Sequence, residues 1–308
     1  MTTDLSKKPV AIIIAGPTAS GKTSLAIRVA EYFSTSIISA DSRQCYHELN
    51  IGVARPGPDE LQKIRHYFID THFVSENVHA AVFESEALAA ADEIFQHNSV
   101  LVVTGGTGLY MKTFCEGIDE IPPVDPATRN LVRKRFAETG LSFLQQWLNE
   151  VDPDYFRDMT EKQNPVRLMR VLEVKLSTGN SLSHYQNRKI AKRPFRIIKA
   201  GIHWPREILY LRINERVDKM IAHGLVEEAR SLLAFREYNA LQTVGYQELF
   251  QYFDGVLSLE EATEKIKQHT RNYAKRQMTW FAKDKEITWF TGDQTAEVIP
   301  FLENTIRT

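Results

Sequence analysis

The stretch GPTASGKT holds the residues with the clearest chemical meaning, because it is typical of a loop that binds phosphates. Glycines let consecutive backbone N–H groups point inward, and the N-terminus of a following helix adds the positive end of its dipole. Lys22 supplies a positive charge, and the hydroxyl of Thr23 is suited to Mg²⁺. The residues of this predicted phosphate-binding loop are Gly16, Pro17, Thr18, Ala19, Ser20, Gly21, Lys22 and Thr23.

A second candidate for chemistry is Asp41, which ends the apolar run IISAD. An enzyme that cleaves ATP needs an acidic residue for its metal, and Asp41 is of the right type. However, VLVVTGGTG carries Thr104, Gly105 and Gly106 where many such enzymes place an aspartate, and no guanine-reading Asn-Lys-x-Asp occurs. The residues alone therefore predict a magnesium-dependent enzyme that handles phosphates, and they leave open whether the ligand is ATP.

The pattern around these residues predicts a parallel sheet that brings them together. Residues 10–15 (VAIIIA) form an uninterrupted apolar run, which is typical of a strand buried on both faces. A helix is predicted from about 22 to 33, and further strands at 36–40, 100–104 and about 197–204. Strands that alternate with helices form parallel sheets through right-handed crossovers. The predicted fold class is α/β, with a P-loop parallel-sheet core.

The middle of the chain predicts an inserted helical subdomain. Asp125 and Asn164 each precede a proline, and this pairing is typical of the first turn of a helix. The predicted domains are 1–114 for the first part of the core, 115–200 for the helical insertion, and 201–308 for the remainder of the core and the C-terminal helices.

Charge is distributed unevenly along the chain, although the formal net charge is only −1. Residues 129–200 contain 15 basic and 7 acidic side chains, whereas the rest of the chain is acidic. Such a block is either the solvated surface of helices or the contact surface for a polyanion. Both interpretations are open at this point.

The composition excludes several classes of protein. With 43% hydrophobic and 25% charged residues, the chain is typical of globular proteins, and no stretch approaches the roughly 20 apolar residues of a membrane span. The N-terminus MTTDLSKKP has no apolar signal core, so secretion and organelle import are not expected. Cys45 and Cys115 are too few for a disulfide framework or a zinc site, and we expect both to be buried. The expected protein is a cytoplasmic monomer without membrane contact.

Eight motifs, in this order and at this spacing, resemble the tRNA dimethylallyltransferase family, the tRNA isopentenyl transferases of bacteria and organelles. They are GPTASGKT, DSRQCY, GVARP, GGTGLY, NPVRLMRVLEV, LRINERVD, LQTVGYQE and AKRQMTWFAKD, and the likeness covers about residues 10–290. The resemblance implies that the loop binds the diphosphate of dimethylallyl diphosphate instead of ATP. It also implies that the acceptor is N6 of the adenosine on the 3′ side of the tRNA anticodon. Cys45 stands where this family usually has an aliphatic residue, and NIGVARP replaces DIGTAKP.

The resemblance implies catalytic roles for four residues. Lys22, Thr23 with Mg²⁺, and Arg216 would stabilise the charge that develops on the leaving diphosphate. Without the resemblance, Arg216 looks like an arginine on a helix surface. Asp41 would be the general base that draws a proton from the exocyclic amine. A second role, as a metal ligand through water, stays open for Asp41.

The resemblance also implies contacts with tRNA in several segments. The target base must leave the stack of the anticodon loop, and arginines of the insertion would bind phosphates. The implied contact residues are Asp41, Ser42, Arg43, Gln44, Thr107, Arg129, Val166, Arg167, Leu168, Met169, Arg170, Leu241, Gln242, Thr243, Val244, Gly245, Tyr246, Lys275, Arg276, Gln277 and Trp280. For Tyr246 and Trp280, stacking on bases and packing in the core are both open.

Two other functions are compatible with the residues. A P-loop kinase for a small metabolite would turn over ATP and bind no RNA. An RNA-binding adaptor with a regulatory nucleotide site would bind both ligands and form no product.

Overall fold

The computed structural model describes residues 8–186 and 190–308. Residues 1–7, which hold most of the N-terminal stretch considered above, lie outside the described residues, as do Arg188 and Lys189 of the basic block. The strands are β1 (Val10–Ala15), β2 (Ile37–Ser39), β3 (His66–Tyr67), β4 (Val100–Thr104), β5 (Arg196–His203) and β6 (Thr288–Thr291). The helices are α1 (Lys22–Tyr32), α2 (Pro58–Lys63), α3 (Ala80–Phe95), α4 (Gly108–Glu116), α5 (Pro126–Val151), α6 (Pro153–Asp158), α7 (Pro165–Thr178), α8 (Leu182–Tyr185), α9 (Arg206–Ala222), α10 (Leu225–Ser231), α11 (Tyr246–Phe253), α12 (Leu259–Phe281) and α13 (Val298–Arg307).

The strands form one parallel sheet in the order β3-β2-β4-β1-β5-β6. β1 lies between β4 and β5, and its Ile13 is in register with Val103 on one side and Lys199 on the other. The predicted α/β class with a parallel core is confirmed. The two edge strands β3 and β6 were not predicted, because two and four residues are too short for a clear apolar period.

Side chains of β1 pack alternately into two apolar clusters, one on each face of the sheet. Ala11 and Ile13 belong to one cluster, and Ile12 and Ile14 to the other. Since successive side chains of a strand point to opposite faces, a strand covered on both sides must be apolar throughout. This burial holds β1 rigidly, and with it the phosphate-binding loop that follows.

The chain divides into two compact units, one formed by the chain up to Gly117 with Lys192–Thr308, and the other by Ile118–Ala191. The second unit contains α5 to α8 around its own apolar cluster, and Asp125 and Asn164 cap α5 and α7 as expected. Its bounds differ from the predicted 115–200, because α4 continues to Glu116 and β5 begins at Arg196.

None of the helices in the described ranges combines the length and the apolar character needed to cross a bilayer. Cys45 and Cys115 are buried free thiols, as expected.

Candidate active site

A cavity opens beside the carboxyl ends of β1, β2 and β4 and has an empty volume of about 540 Å³, part of it open to solvent. Its lining includes all four residues with a predicted catalytic role, Lys22, Thr23, Asp41 and Arg216, together with Gln44, a predicted tRNA contact. They come from the phosphate-binding loop, from the segment after β2, and from α9. These residues lie close together because the loops that follow the strands of a parallel sheet emerge at the same edge.

Lys22 is the first residue of α1, and its Nζ donates a hydrogen bond to the carbonyl of Pro17 at 3.2 Å. The pKa of Lys22 is lowered from 10.5 to about 8. Burial is the largest cause and the positive charge of Arg216 the second, while the carboxylate of Asp41 acts in the opposite direction. Burial likewise lowers the pKa of Arg216. Two cations that repel each other in a partly dry site favour an anion between them.

Binding of diphosphate to the free protein is expected to weaken as the pH rises above about 8, the pKa of Lys22. Below that pH the ammonium is charged and attracts the anion, and above it deprotonation removes the attraction. Calorimetric titration with inorganic diphosphate on either side of this pH measures the effect. Lys22→Arg is the control, because the guanidinium of arginine stays charged throughout this pH range. Titration of the diphosphate itself affects both proteins equally, so a difference between their pH profiles reports on Lys22. Identical pH profiles for the two proteins would contradict the assignment.

Helix α9 and the segment before it brace the phosphate-binding loop. Arg216 Nη1 donates to Thr18 Oγ1 at 3.2 Å, Arg212 Nε to the carbonyl of Ala19 at 2.8 Å, and Trp204 Nε1 to the carbonyl of Ser20 at 3.0 Å. Ala19 has a positive φ of 61°, which is uncommon for alanine and needs support from its surroundings. Sequence reasoning missed Trp204 and Arg212, since neither belongs to the loop motif.

Asp41 follows β2 and lies beside the segment that follows β4. Its Oδ1 accepts the backbone N–H of Arg43 at 2.9 Å, and Thr107 Oγ1 accepts the N–H of Ser42 at 3.0 Å. The two segments approach so closely that a Cβ on Gly105 would lie 2.1 Å from the carbonyl oxygen of Ala40. Glycine is therefore required at position 105, so an aspartate side chain has no room at this point of the chain.

Gln277 links the phosphate-binding loop to the segment after β4. Its Oε1 accepts the backbone N–H of Thr18 at 2.8 Å, and its Nε2 donates to the carbonyl of Gly106 at 2.8 Å. Its side chain is buried and engaged at both ends, so it braces these two segments. Because Gln277 also lines the cavity, its predicted contact with tRNA stays a prediction. Tyr273, one helical turn earlier, also lines the cavity and was missed by sequence reasoning. Burial, the largest cause, and the negative charge of Asp41, the second, raise the pKa of Tyr273 to about 12. Its hydroxyl therefore stays protonated.

The predicted RNA segment 241–246 is divided between core and surface. Leu241 and Tyr246 are fully buried, and the hydroxyl of Tyr246 donates to Glu228 Oε1 at 2.6 Å. Of the two roles left open for Tyr246, packing in the core is thus the correct one, and a direct contact of Leu241 with RNA is wrong. Gly245 is buried as well, with its N–H donated to Glu248. Gln242 is exposed, and Thr243 and Val244 are partly exposed.

Trp280 lies on the surface, 41% exposed, with its ring against Gly108 at the start of α4. It lines a shallow groove on α12 together with the exposed cations Lys275 and Arg276. An aromatic face beside two cations is suited to a nucleotide. Lys275, Arg276 and Trp280 are thus accessible to RNA, and their contacts with it stay predictions.

The predicted contacts of the second unit lie mainly on α7. Val166 is 69% exposed, and Arg167 is exposed and pairs with Glu161 at 2.8 Å. Arg170 is half-buried, and Arg129 Nε lies 3.8 Å from Glu173 Oε2. Met169 is also half-buried, but Leu168 is fully buried in the apolar cluster of this unit. A side-chain contact of Leu168 with RNA is therefore corrected to a core role.

Oxygen ligands for Mg²⁺ are present in the cavity as the hydroxyl of Thr23 and the carboxylate of Asp41. Within residues 8–186 and 190–308, no group of three or more His, Cys, Asp or Glu side chains is arranged to hold a metal. Mg²⁺ that binds together with phosphates needs only one or two protein ligands, because water and phosphate oxygens supply the others. The residues present thus fit Mg²⁺ bound with a diphosphate.

Comparisons with known proteins show to which family the chain is similar. Residues 44–284 match the family described as IPP transferase. The chain is 45% identical to tRNA dimethylallyltransferase 1 of Bacteroides thetaiotaomicron, over 96% of this chain and 95% of the relative. It is 46% identical to tRNA dimethylallyltransferase of Christiangramia forsetii, over 96% of this chain and 98% of that relative. It also resembles the crystal structure of tRNA delta(2)-isopentenylpyrophosphate transferase from Staphylococcus epidermidis, with a TM-score of 0.70, 34% identity, and coverage of 97% of this chain and 99% of that one. The chain therefore belongs to the IPP transferase family.

Proposed function

We propose that the protein transfers a dimethylallyl group from dimethylallyl diphosphate to N6 of the adenosine 3′-adjacent to the anticodon of tRNAs, releasing diphosphate. The observation that carries this proposal is the single cavity in which Lys22 and Arg216 face the carboxylate of Asp41. The cations suit the leaving group and the carboxylate suits the attacking amine. The names of the similar enzymes supply the two substrates.

At the cationic end, the bond between the allylic carbon and the diphosphate oxygen breaks, and negative charge grows on the leaving diphosphate. Lys22, Arg216 and the backbone N–H groups of the phosphate-binding loop stabilise that charge. When bound, Mg²⁺ supplies further charge neutralisation, and Thr23 would hold it. The braces on Thr18 and Ala19 keep the loop in place.

At the other end, N6 of adenosine forms the new bond to the allylic carbon, and Asp41 takes the proton that N6 releases. An exocyclic amine conjugated with a purine is a weak nucleophile, so it must lose that proton as it attacks. Ser42, Gln44 and Thr107 lie around Asp41 and would hold the flipped base. Arg43, whose backbone N–H bonds to Asp41, would contribute from the same segment.

Contacts with the rest of the tRNA are assigned to two accessible surfaces, each within one unit. On α12, Trp280 would stack on a base while Lys275 and Arg276 bind phosphates. On α7 and α5, Arg167, Arg170 and Arg129 would bind phosphates. The ion pair of Arg167 with Glu161 is exposed on both sides, so a phosphate can replace the glutamate at little cost.

Changing Arg167 and Arg170 to alanine is expected to weaken tRNA binding and to flatten its dependence on salt. Each lost phosphate contact should reduce the log–log slope by roughly 0.7 to 0.9, because fewer counterions are released on binding. Filter binding over a salt series gives this slope.

Arg157→Ala is the matched control for that pair, since Arg157 is also an exposed arginine of the second unit in ion pairs with carboxylates. It should leave the slope unchanged. If the double variant keeps the slope of the unaltered protein, the two arginines serve only as structural ion-pair partners.

The direct test of the function is incubation of the protein with unmodified tRNA, Mg²⁺ and dimethylallyl diphosphate, followed by digestion and mass spectrometry. The expected product is an adenosine that carries one added isopentenyl group. A kinase would instead consume ATP without modifying RNA, and an adaptor would bind tRNA without any product. Either result would overturn the proposal.

A further inference from the structure

Glu228 on α10, outside the cavity, accepts four hydrogen bonds from two other segments. Its Oε2 accepts the backbone N–H groups of Asn50 at 3.2 Å and Ile51 at 2.7 Å. Its Oε1 accepts the N–H of Gly52 at 2.9 Å and the hydroxyl of Tyr246 at 2.6 Å. Three consecutive amide donors around one carboxylate form a nest for an anion, and bonds to a charged acceptor are stronger than neutral ones. The carboxylate thus fixes the backbone of this stretch.

The stretch leads directly to the cavity. Residues 50–56, here named the wall loop, contribute Val53 and Pro56 to its lining. The carbonyls of Val53 and Ala54 accept hydrogen bonds from Gln44 Nε2 at 3.2 and 3.1 Å, and Gln44 Oε1 accepts the hydroxyl of Ser39 at 3.1 Å. The amide of Gln44 is therefore oriented by the wall loop at its Nε2 and by Ser39 at its Oε1.

The wall loop has a conformation that requires an external restraint. Ala54 has a φ of 48°, in the left-handed region that alanine rarely adopts. Gly52 lies so close to Tyr246 that a Cβ at this position would be 2.6 Å from the ring. A backbone with this strain and this close approach depends on the groups that hold it, and Glu228 holds the N–H groups of Asn50, Ile51 and Gly52.

We propose that Glu228 is a positioning residue, which holds the wall loop against the cavity and thereby orients Gln44 toward the target base. The hydrogen bonds of Glu228 hold the wall loop more than they hold α10, because α10 is already anchored by the fully buried Leu225 and Ala229. The role of Gln44 beside the base rests on the proposed function, whereas the restraint on the wall loop does not.

The test combines hydrogen exchange with single-turnover kinetics on Glu228→Gln. The neutral amide keeps the size of the side chain but turns an N–H₂ group toward backbone donors. We expect amide exchange in the wall loop to rise, and the rate of transfer at saturating donor and tRNA to fall at least about tenfold. The affinity for inorganic diphosphate should stay unchanged, because no residue of the phosphate-binding loop bonds to Glu228.

Tyr246→Phe is the matched control, since it removes one of the four bonds and keeps the three amide bonds and the ring. It should show much smaller changes in exchange and rate. If Glu228→Gln does not fold, Glu228→Asp replaces it, because the shorter side chain cannot reach all its partners.

Unchanged exchange in the wall loop would overturn the proposal. Faster exchange with an unchanged saturating rate and an unchanged KM for tRNA would also overturn it, because Glu228 would then have only a structural role. A wild-type protein that transfers no dimethylallyl group would overturn the proposed function and the role of Gln44, while the exchange data would still decide the restraint on the loop.

Discussion

Asp41→Asn is expected to bind donor and tRNA almost normally and to lose about 10² to 10⁴ in the rate of transfer. A general base is needed only as the amine attacks, so its loss affects the transition state more than either bound substrate. The position of Asp41 supports this role, because its carboxylate lines the cavity beside the predicted base pocket. Single-turnover transfer at saturating tRNA and donor measures the change.

The competing role of Asp41 as a metal ligand gives a different result. Its removal would then weaken binding of Mg²⁺ and donor, and raised Mg²⁺ should restore most of the rate. The same assay over a Mg²⁺ titration separates the two roles, with Asp59→Asn, an exposed aspartate on α2, as the control. Near-complete rescue by Mg²⁺ would remove Asp41 from the base role.

Lys22→Ala is expected to lower the rate of transfer by about 10² to 10³, the usual effect of removing one stabilising donor from a developing anion. The ammonium of Lys22 lies in the cavity with Arg216 and acts on the leaving diphosphate. Affinity for tRNA should change little, because this charge contacts the donor and not the RNA. Transfer kinetics and filter binding on the same preparation give both quantities.

Lys63→Ala, at an exposed lysine on α2, is the control for the lost positive charge. It should retain both activity and tRNA affinity. An equally large loss of transfer and of tRNA affinity in Lys22→Ala would count against the donor assignment.

The sequence predicted those parts of the fold and site that depend on contiguous residues. The strand Val10–Ala15, the loop after it and the strand Val100–Thr104 are correct to the residue or nearly so, because buried parallel strands are apolar throughout. Lys22, Asp41 and Arg216 meet in one cavity, as the resemblance implied, although only the first belongs to a motif with a clear physical meaning of its own.

The supporting contacts were beyond sequence reasoning because they join distant parts of the chain. Thr18 and Gln277 are 259 residues apart, and no local pattern marks Gln277 as a partner of the loop. Glu228 is similar, since on a short helix it looks like any surface glutamate. Tyr246 shows the opposite problem, because an aromatic residue next to a glycine suits both stacking and packing, and only its burial distinguishes the two.

In the proposed function, the phosphate-binding loop holds the diphosphate of an allylic donor whose carbon is transferred to tRNA. A quenched reaction series tests this role by measuring released diphosphate and isopentenyl-adenosine in the same samples, with dimethylallyl diphosphate or with ATP. We expect one diphosphate for each modified adenosine, no release of diphosphate without tRNA, and no turnover of ATP. Hydrolysis of ATP, or release of diphosphate without modified adenosine, would contradict this role.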